Sequence, residues 1–225
     1  MPTRPYLNAN GDRVPGVTTV IGNLGWNRDA LMRWANREGL AGRDIRGPKS
    51  RDTVAAERGT AVHAMIEAWT HGYDPCIIAE YQALTLDEAD LAYVAFRSFR
   101  RWEEDSGLRL VATEIYGVSE RLQVGFCLDG LALRHTGEMS LVDYKTGKGP
   151  FPDHLIQVAQ YVELCEELYG DWTGPLDGAY ILRASSSGVY HHVFFPNEAL
   201  AVGREAFKHL LWLHKHRRQV EEFVR

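Results

Sequence analysis

The chain has 225 residues, enough to bury a sizeable core, and its 45% hydrophobic and 24% charged content is that of a globular domain. Its net charge of −5 argues at first against nucleic acid as a partner, and no apolar run reaches the roughly 20 residues of a membrane helix. Cys76, Cys127 and Cys165 stand far apart without C-x-x-C spacing, which argues against a disulfide framework, a zinc ribbon or a four-cysteine iron–sulfur cluster.

The opening Met1-Pro2-Thr3-Arg4-Pro5 lacks the apolar core of a signal peptide, so a cytoplasmic protein is expected. Charge is uneven: residues 1–58 sum to +4 and the remainder to −9. Arg43, Arg46, Lys49, Arg51 and Arg58 cluster, as a groove that steers a polyanion would require. A solvated charged surface accounts equally well for any one of them.

In chain order, Tyr6 to Gly16 reads as a hairpin turned at Asn10-Gly11. Val17 to Gly22 follows, then a helix with Asn27 as N-cap and Leu31, Met32, Trp34 and Ala35 among its apolar positions. Gly42 to Ser50, rich in Gly, Pro and charge, is expected to be a mobile loop. A long helix is predicted from about Thr53 to His71, with an apolar stripe of Ala55, Ala56, Val62, Met65, Ile66 and Trp69. Gly59 inside it predicts a close approach by another backbone or a ligand, because glycine otherwise weakens a helix. His63 and Glu67, four apart, share a helix face. Taken alone, His63 is more often a structural histidine than a ligand.

Thr85-Leu86-Asp87-Glu88 matches a capping box and opens a second long helix that ends near Gly107. Leu108–Val118 and Leu122–Leu133 are predicted strands, followed by a strand through Asp143. Glu114 interrupts the first of these, as a third acid or as a surface partner for an arginine. Asp153 is placed as the cap of a helix that runs to Tyr169, and Gln157, Tyr161, Leu164 and Leu168 share one of its faces. Asp177–Ala184 and Val189–Phe195 form a terminal hairpin, and Glu198–Val220 a final amphipathic helix with Phe207, Leu210, Leu211 and Leu213. This order implies one α/β domain with a central mixed sheet flanked by helices.

The chemistry concentrates in the hairpin Gly125–Thr146. If Gly137 takes the left-handed position of a three-residue turn, Arg134 pairs with Glu138, and Asp129 falls opposite Asp143. Strand alternation puts Asp143 and Lys145 on one face beside Asp129. Charges on an apolar strand are costly unless paired or metal-bound. Asp129, Asp143 and His63, with the Tyr144 carbonyl, make a hard ligand set for Mg²⁺ or Mn²⁺. Lys145 beside two carboxylates should stay protonated, which suits it to orienting a nucleophile and offsetting transition-state charge. Thr146, Gly147 and Lys148 follow at once as candidates to hold a neighbouring phosphate.

These residues resemble the PD-(D/E)XK nuclease superfamily, in its RecB-like exonuclease branch of phage and bacterial type. Gly59-Thr60-Ala61-Val62-His63 with Glu67 is similar to the G-T-x-x-H motif, and Gly125 to Asp129 to G-x-x-x-D. Val142-Asp143-Tyr144-Lys145-Thr146-Gly147 is similar to D-Y-K-T-G, and Gln157 to Tyr161 to Q-x-x-x-Y. The four motifs stand in the family's order over residues 59 to 161. Leu128 stands where the superfamily name has proline. Val17 to Val20 and the tryptophan-containing helix after it resemble the N-terminal region of such members.

The resemblance implies a restriction-endonuclease-like core at 51–195 in a single domain of 225 residues. Residues 1–50 would supply a hairpin, helix and basic loop, and 196–225 a C-terminal helix. It implies a metal-dependent deoxyribonuclease, an exonuclease acting on DNA ends in recombination or repair. A structure-specific or restriction-type endonuclease and an inactive DNA-binding or assembly module are the alternatives. Asp129, Asp143 and Lys145 would be catalytic, and His63, Asp129, Asp143 and Tyr144 would hold Mg²⁺ or Mn²⁺. Gln157 and Tyr161 would contact DNA or brace the site, Thr146 and Lys148 would bind substrate, and Glu67 and Glu114 would be supporting acids. The partners implied are DNA, a recombination, annealing or helicase protein, and further copies of the chain; neither a membrane nor an iron–sulfur cluster is. A phage-encoded chain would work in the host cytoplasm.

Overall fold

The computed structural model describes residues 5–26, 28–42, 51–147 and 149–224. Asn27, Lys148 and the stretch 43–50 with Arg43, Arg46 and Lys49 lie outside them, as does the side chain of Arg51. The expected cap, the expected mobile loop and most of the expected basic cluster therefore fall outside the described residues. Arg58 is described, and its Nη1 lies 2.6 Å from Glu88 Oε2, so it ties two helices together.

Short strands β1 (Tyr6–Leu7) and β2 (Arg13–Val14) form the N-terminal hairpin. The next stretch, Val17–Ile21, is helix α1, which buries Val17, Val20 and Ile21. Helix α2 (Arg28–Leu40) leaves Leu31 and Met32 exposed at 60% and 65%, so these two of the apolar positions expected there stay out of the core, while Trp34 and Ala35 are half-buried. Helix α3 (Arg51–Thr70) buries Ala61, Val62, Met65 and Ile66, the spacing of one helical stripe. After the one-turn helix α4 (Ala79–Gln82), helix α5 (Leu86–Ser106) starts at Thr85, whose side chain accepts from the Glu88 N–H. It ends at Gly107, with φ +68. That left-handed residue closes a helix at little steric cost in glycine.

Strands β3 (Leu108–Ser119), β4 (Val124–Arg134), β5 (Met139–Lys145), β6 (Gly178–Ala184) and β7 (Tyr190–Pro196) form one sheet in that order. Only β5 and β6 run parallel, joined by helix α6 (Pro152–Thr173); the other neighbours are antiparallel. Helix α7 (Asn197–Glu222) ends the chain. The sheet is mixed and flanked by helices on both faces.

Each face has its own core. On one, Phe126, Leu128, Leu141 and Ile181 pack against Val17 and Val20 of α1, Val158 and Val162 of α6, and Phe207 of α7. On the other, Leu110, Val142, Tyr144 and Leu182 pack against Val62 and Ile66 of α3 and Phe99 and Trp102 of α5. Among the described residues no helix is long and apolar enough to cross a membrane.

Candidate metal centre

The turn between β4 and β5 sets the register. Gly137, at φ +104, donates its N–H to Arg134 O, and Arg134 N–H donates to Glu138 O, each at 2.9 Å. The ladder then runs from Leu133↔Met139 to Gly130↔Val142 and stops. The next opposed residues are Asp129 and Asp143, as the turn geometry predicts.

At that point the two strands fork. The N–H of Tyr144 donates to Asp129 Oδ2 at 2.9 Å instead of to a backbone carbonyl, and the Tyr144 hydroxyl donates to Asp129 O at 2.8 Å. Tyr144 is 2% exposed, so its ring anchors the fork in the α3–α5 core.

A second break faces the first. On β3, Glu114 lies opposite Asp129 by continuation of Thr113↔Gly130 and Ile115↔Leu128, but with φ +51 it leaves the ladder. A left-handed glutamate inside a strand is uncommon, and its effect is to re-aim the side chain. His63 comes in from α3, its Nδ1 3.8 Å from Asp129 Oδ1 and its ring centroid 4.6 Å from that of Tyr144. One ligand atom each from His63, Glu114 and Asp129 lies within 4.8 Å of the others. Glu114, expected only as a supporting acid, thus stands in the converging set.

Asp143 stands beside this set with its carboxylate turned to other partners. Its Oδ2 is 2.7 Å from Lys145 Nζ, and its Oδ1 accepts from Gln157 Nε2 at 3.3 Å. Gln157 Nε2 also donates to the Tyr161 hydroxyl at 3.1 Å. Tyr161 is only 5% exposed and packs on Phe126, which suits bracing rather than contact with a substrate. Thr146 is half-buried, and its Oγ1 lies 3.0 Å from where a Cβ on Gly59 would be. The close approach at Gly59 is therefore made by a side chain, the Thr146 hydroxyl just after β5, and not by the backbone or ligand expected there. Glu67 is half-buried one turn beyond His63, and its charge is felt at Cys127 and Tyr144.

The protonation states follow from burial and neighbours. Burial, then the charge of Asp143, pushes the Asp129 carboxyl well above the usual range against the pull of Lys145 and the Tyr144 N–H. Burial lowers His63, with Lys145 adding to the effect, so its ring is neutral at neutral pH. For Lys145, burial disfavours the charge, but Asp143 and Asp129 outweigh it and the ammonium is held above its ordinary value. Two hard carboxylates and a neutral imidazole, aimed at one point beside a fixed ammonium, can hold a divalent cation and face it with a proton donor.

Two residues escaped sequence reasoning. Cys127 donates its thiol to Glu114 Oε2 at 3.3 Å and is pushed up to about 12 by burial and by Glu114. Its signal was position, two residues before Asp129 on one strand. Tyr6 of the N-terminal hairpin stacks on Tyr116 at 5.0 Å, and burial, with Cys127, Tyr116 and Glu114, raises it to about 12. The sequence carried no signal for Tyr6.

No family model matches the chain, and no curated protein matches it. Among solved structures it is similar to a protein of Eubacterium rectale named provisionally as an exonuclease. There the identity is 14% and the TM-score 0.44, over 76% of this chain and 68% of that one. It is also similar to SSO0001, at 10% identity and TM-score 0.30, over 70% of this chain and 74% of that one. The reading of the site therefore rests on its own side chains.

Proposed function

We propose that the chain is a metal-dependent deoxyribonuclease that hydrolyses phosphodiester bonds, an exonuclease acting on DNA ends in recombination or repair. The observation that carries this reading is the strand fork, where His63, Glu114 and Asp129 converge within 4.8 Å beside the Asp143–Lys145 pair. The donor set fits Mg²⁺ or Mn²⁺: two carboxylates supply hard oxygens, and the half-buried imidazole is neutral. A carboxylate shielded as Asp129 is, with its side chain 17% exposed, carries a desolvation cost that a bound cation would remove. The resemblance of the four motifs to RecB-like nucleases agrees with this assignment.

His63, Glu114 and Asp129 would hold the ion, with Asp143 and the Tyr144 carbonyl as further candidate ligands. Such an ion supplies Lewis-acid polarisation of the phosphodiester and a bound water of lowered pKa. Lys145, kept protonated, donates to a phosphate oxygen and offsets charge that grows in the transition state. Gln157 fixes the Asp143 carboxylate, and Tyr161 fixes Gln157. Thr146 and Lys148, next along the chain, hold the neighbouring phosphate. The acidic total makes DNA binding local and salt-sensitive.

The test is incubation with linear and closed-circular DNA, with Mg²⁺ or Mn²⁺ and with chelator, beside Asp143→Ala. Degradation of linear DNA alone, abolished by chelator and in the variant, is the expected result. Cutting of the closed circle would make the enzyme an endonuclease. Intact DNA with retained binding would leave a binding module.

A further inference from the structure

The parallel pairing of β5 with β6 sets Arg183 directly beside Lys145. Asp143↔Ile181 precedes that pair, and β7 adds His191 opposite Arg183. Residues opposed in a sheet point to the same face, and neighbouring strands lie about 4.8 Å apart. Lys145, Arg183 and His191 therefore form a row of basic side chains from the fork to the outer edge of the sheet. The row lies at the carboxyl ends of the two parallel strands, where open α/β sheets bind their ligands.

Arg183 is the unusual member. It is half-buried, and its Nε is shielded from solvent with no hydrogen-bond partner among the described residues. Some arginines elsewhere are held by carboxylates, among them Arg58 by Glu88, Arg100 by Glu103, and Arg121 by Glu163 and Glu167. Arg183 has no carboxylate partner among the described residues. An arginine Nε shielded from water without a partner is costly unless an acceptor arrives from outside, and the planar fork of guanidinium donors matches phosphate. Asp143 keeps Lys145 within the fork, and Arg183, its neighbour across the β5–β6 pair, is placed to take a further phosphate.

We infer that Arg183 binds a further phosphate of the DNA strand, on the β6 side of Lys145 and beyond the one given to Thr146 and Lys148, with His191 extending the track toward the sheet edge. This inference rests on the nuclease reading. Arg183 touches the substrate backbone and fixes the strand's register on Lys145; it has no part in holding the metal.

The test is binding of a short fluorescein-labelled duplex in Ca²⁺, followed by anisotropy over a salt series, for wild type, Arg183→Met and Arg183→Lys. Arg183→Met should bind about tenfold more weakly at low salt and lower the slope of log affinity against log salt by about one. Arg183→Lys should restore most of that slope. Melting temperature and Mn²⁺ affinity by calorimetry should equal those of wild type in both variants. Wild-type affinity and slope in Arg183→Met would overturn the inference and leave the nuclease reading intact. A lower melting temperature in Arg183→Met would make the arginine structural, which also overturns it. A wild-type protein that neither binds nor cuts DNA would remove both together.

Discussion

At the scale of single residues, the site turns on what a buried carboxylate requires. Asp129 accepts the Tyr144 N–H and stands between Asp143 and Glu114, so its charge is poorly solvated and faces two others. Its carboxyl is raised in the folded chain above its value in the unfolded one. The ion-free native state therefore binds this proton more readily than the unfolded state does. The group's contribution to stability then falls as pH rises from the ordinary carboxylate range through the raised native value. On the proposed reading, a divalent ion would replace that proton. Mn²⁺ should accordingly raise the melting temperature more at about pH 7.5 than at about pH 5, in calorimetric scans at constant ionic strength. An equal or larger rise in acid would contradict the placement of the ion on Asp129. Much of this was legible in advance. A three-residue turn with Gly137 and simple strand alternation bring Asp129, Asp143 and Lys145 together. The part of Glu114 was not, because period-2 counting assumes extended backbone, and Glu114 departs from it at φ +51.

At the scale of elements, the site depends on a hairpin far from it in sequence. The ring of Tyr6 fills the space over Gly125: a Cβ there would fall 2.0 Å from Tyr6 Cγ. Gly125 opens the G-x-x-x-D stretch, so the glycine's part is to admit an aromatic ring beside the strand that carries Asp129. Gly125→Ala should destabilise the protein by about 1–3 kcal/mol, since the ring must leave a packed position. Urea denaturation of Gly125→Ala, Tyr6→Ala and the double variant checks this. The double variant should lose much less than the sum, as expected for two residues that share one contact; additive losses would contradict it. The caps Thr85 and Gly107 were read well, but Asp153 lies inside α6, which starts after Phe151 and runs past Tyr169 to Thr173. Ala55, Ala56 and Trp69 of the expected α3 stripe are exposed. The exposure of Leu31 and Met32 was not legible either, because periodicity marks an apolar stripe without saying what covers it.

At the scale of the whole molecule, the sheet places two kinds of chemistry side by side. Its antiparallel half carries the acids Glu114, Asp129 and Asp143 on three consecutive strands, and its parallel step adds Lys145 and Arg183 in one register. The mixed sheet itself was legible from the order of strands and helices. The row from Lys145 to Arg183 was not, because the β5–β6 register is set by how α6 returns the chain, which no local pattern encodes. Both features serve one claim, that the fork on Asp129 holds the ion on which DNA cleavage depends. Nucleotide release from end-labelled linear duplex in Mn²⁺, compared between wild type and a folded Asp129→Asn, tests that claim most directly. Wild type should release nucleotides until chelator stops it, and Asp129→Asn should do so at a rate roughly 1,000-fold lower, about 4 kcal/mol of transition-state stabilisation. Release by Asp129→Asn at the wild-type rate, or by wild type in excess chelator, would contradict the claim.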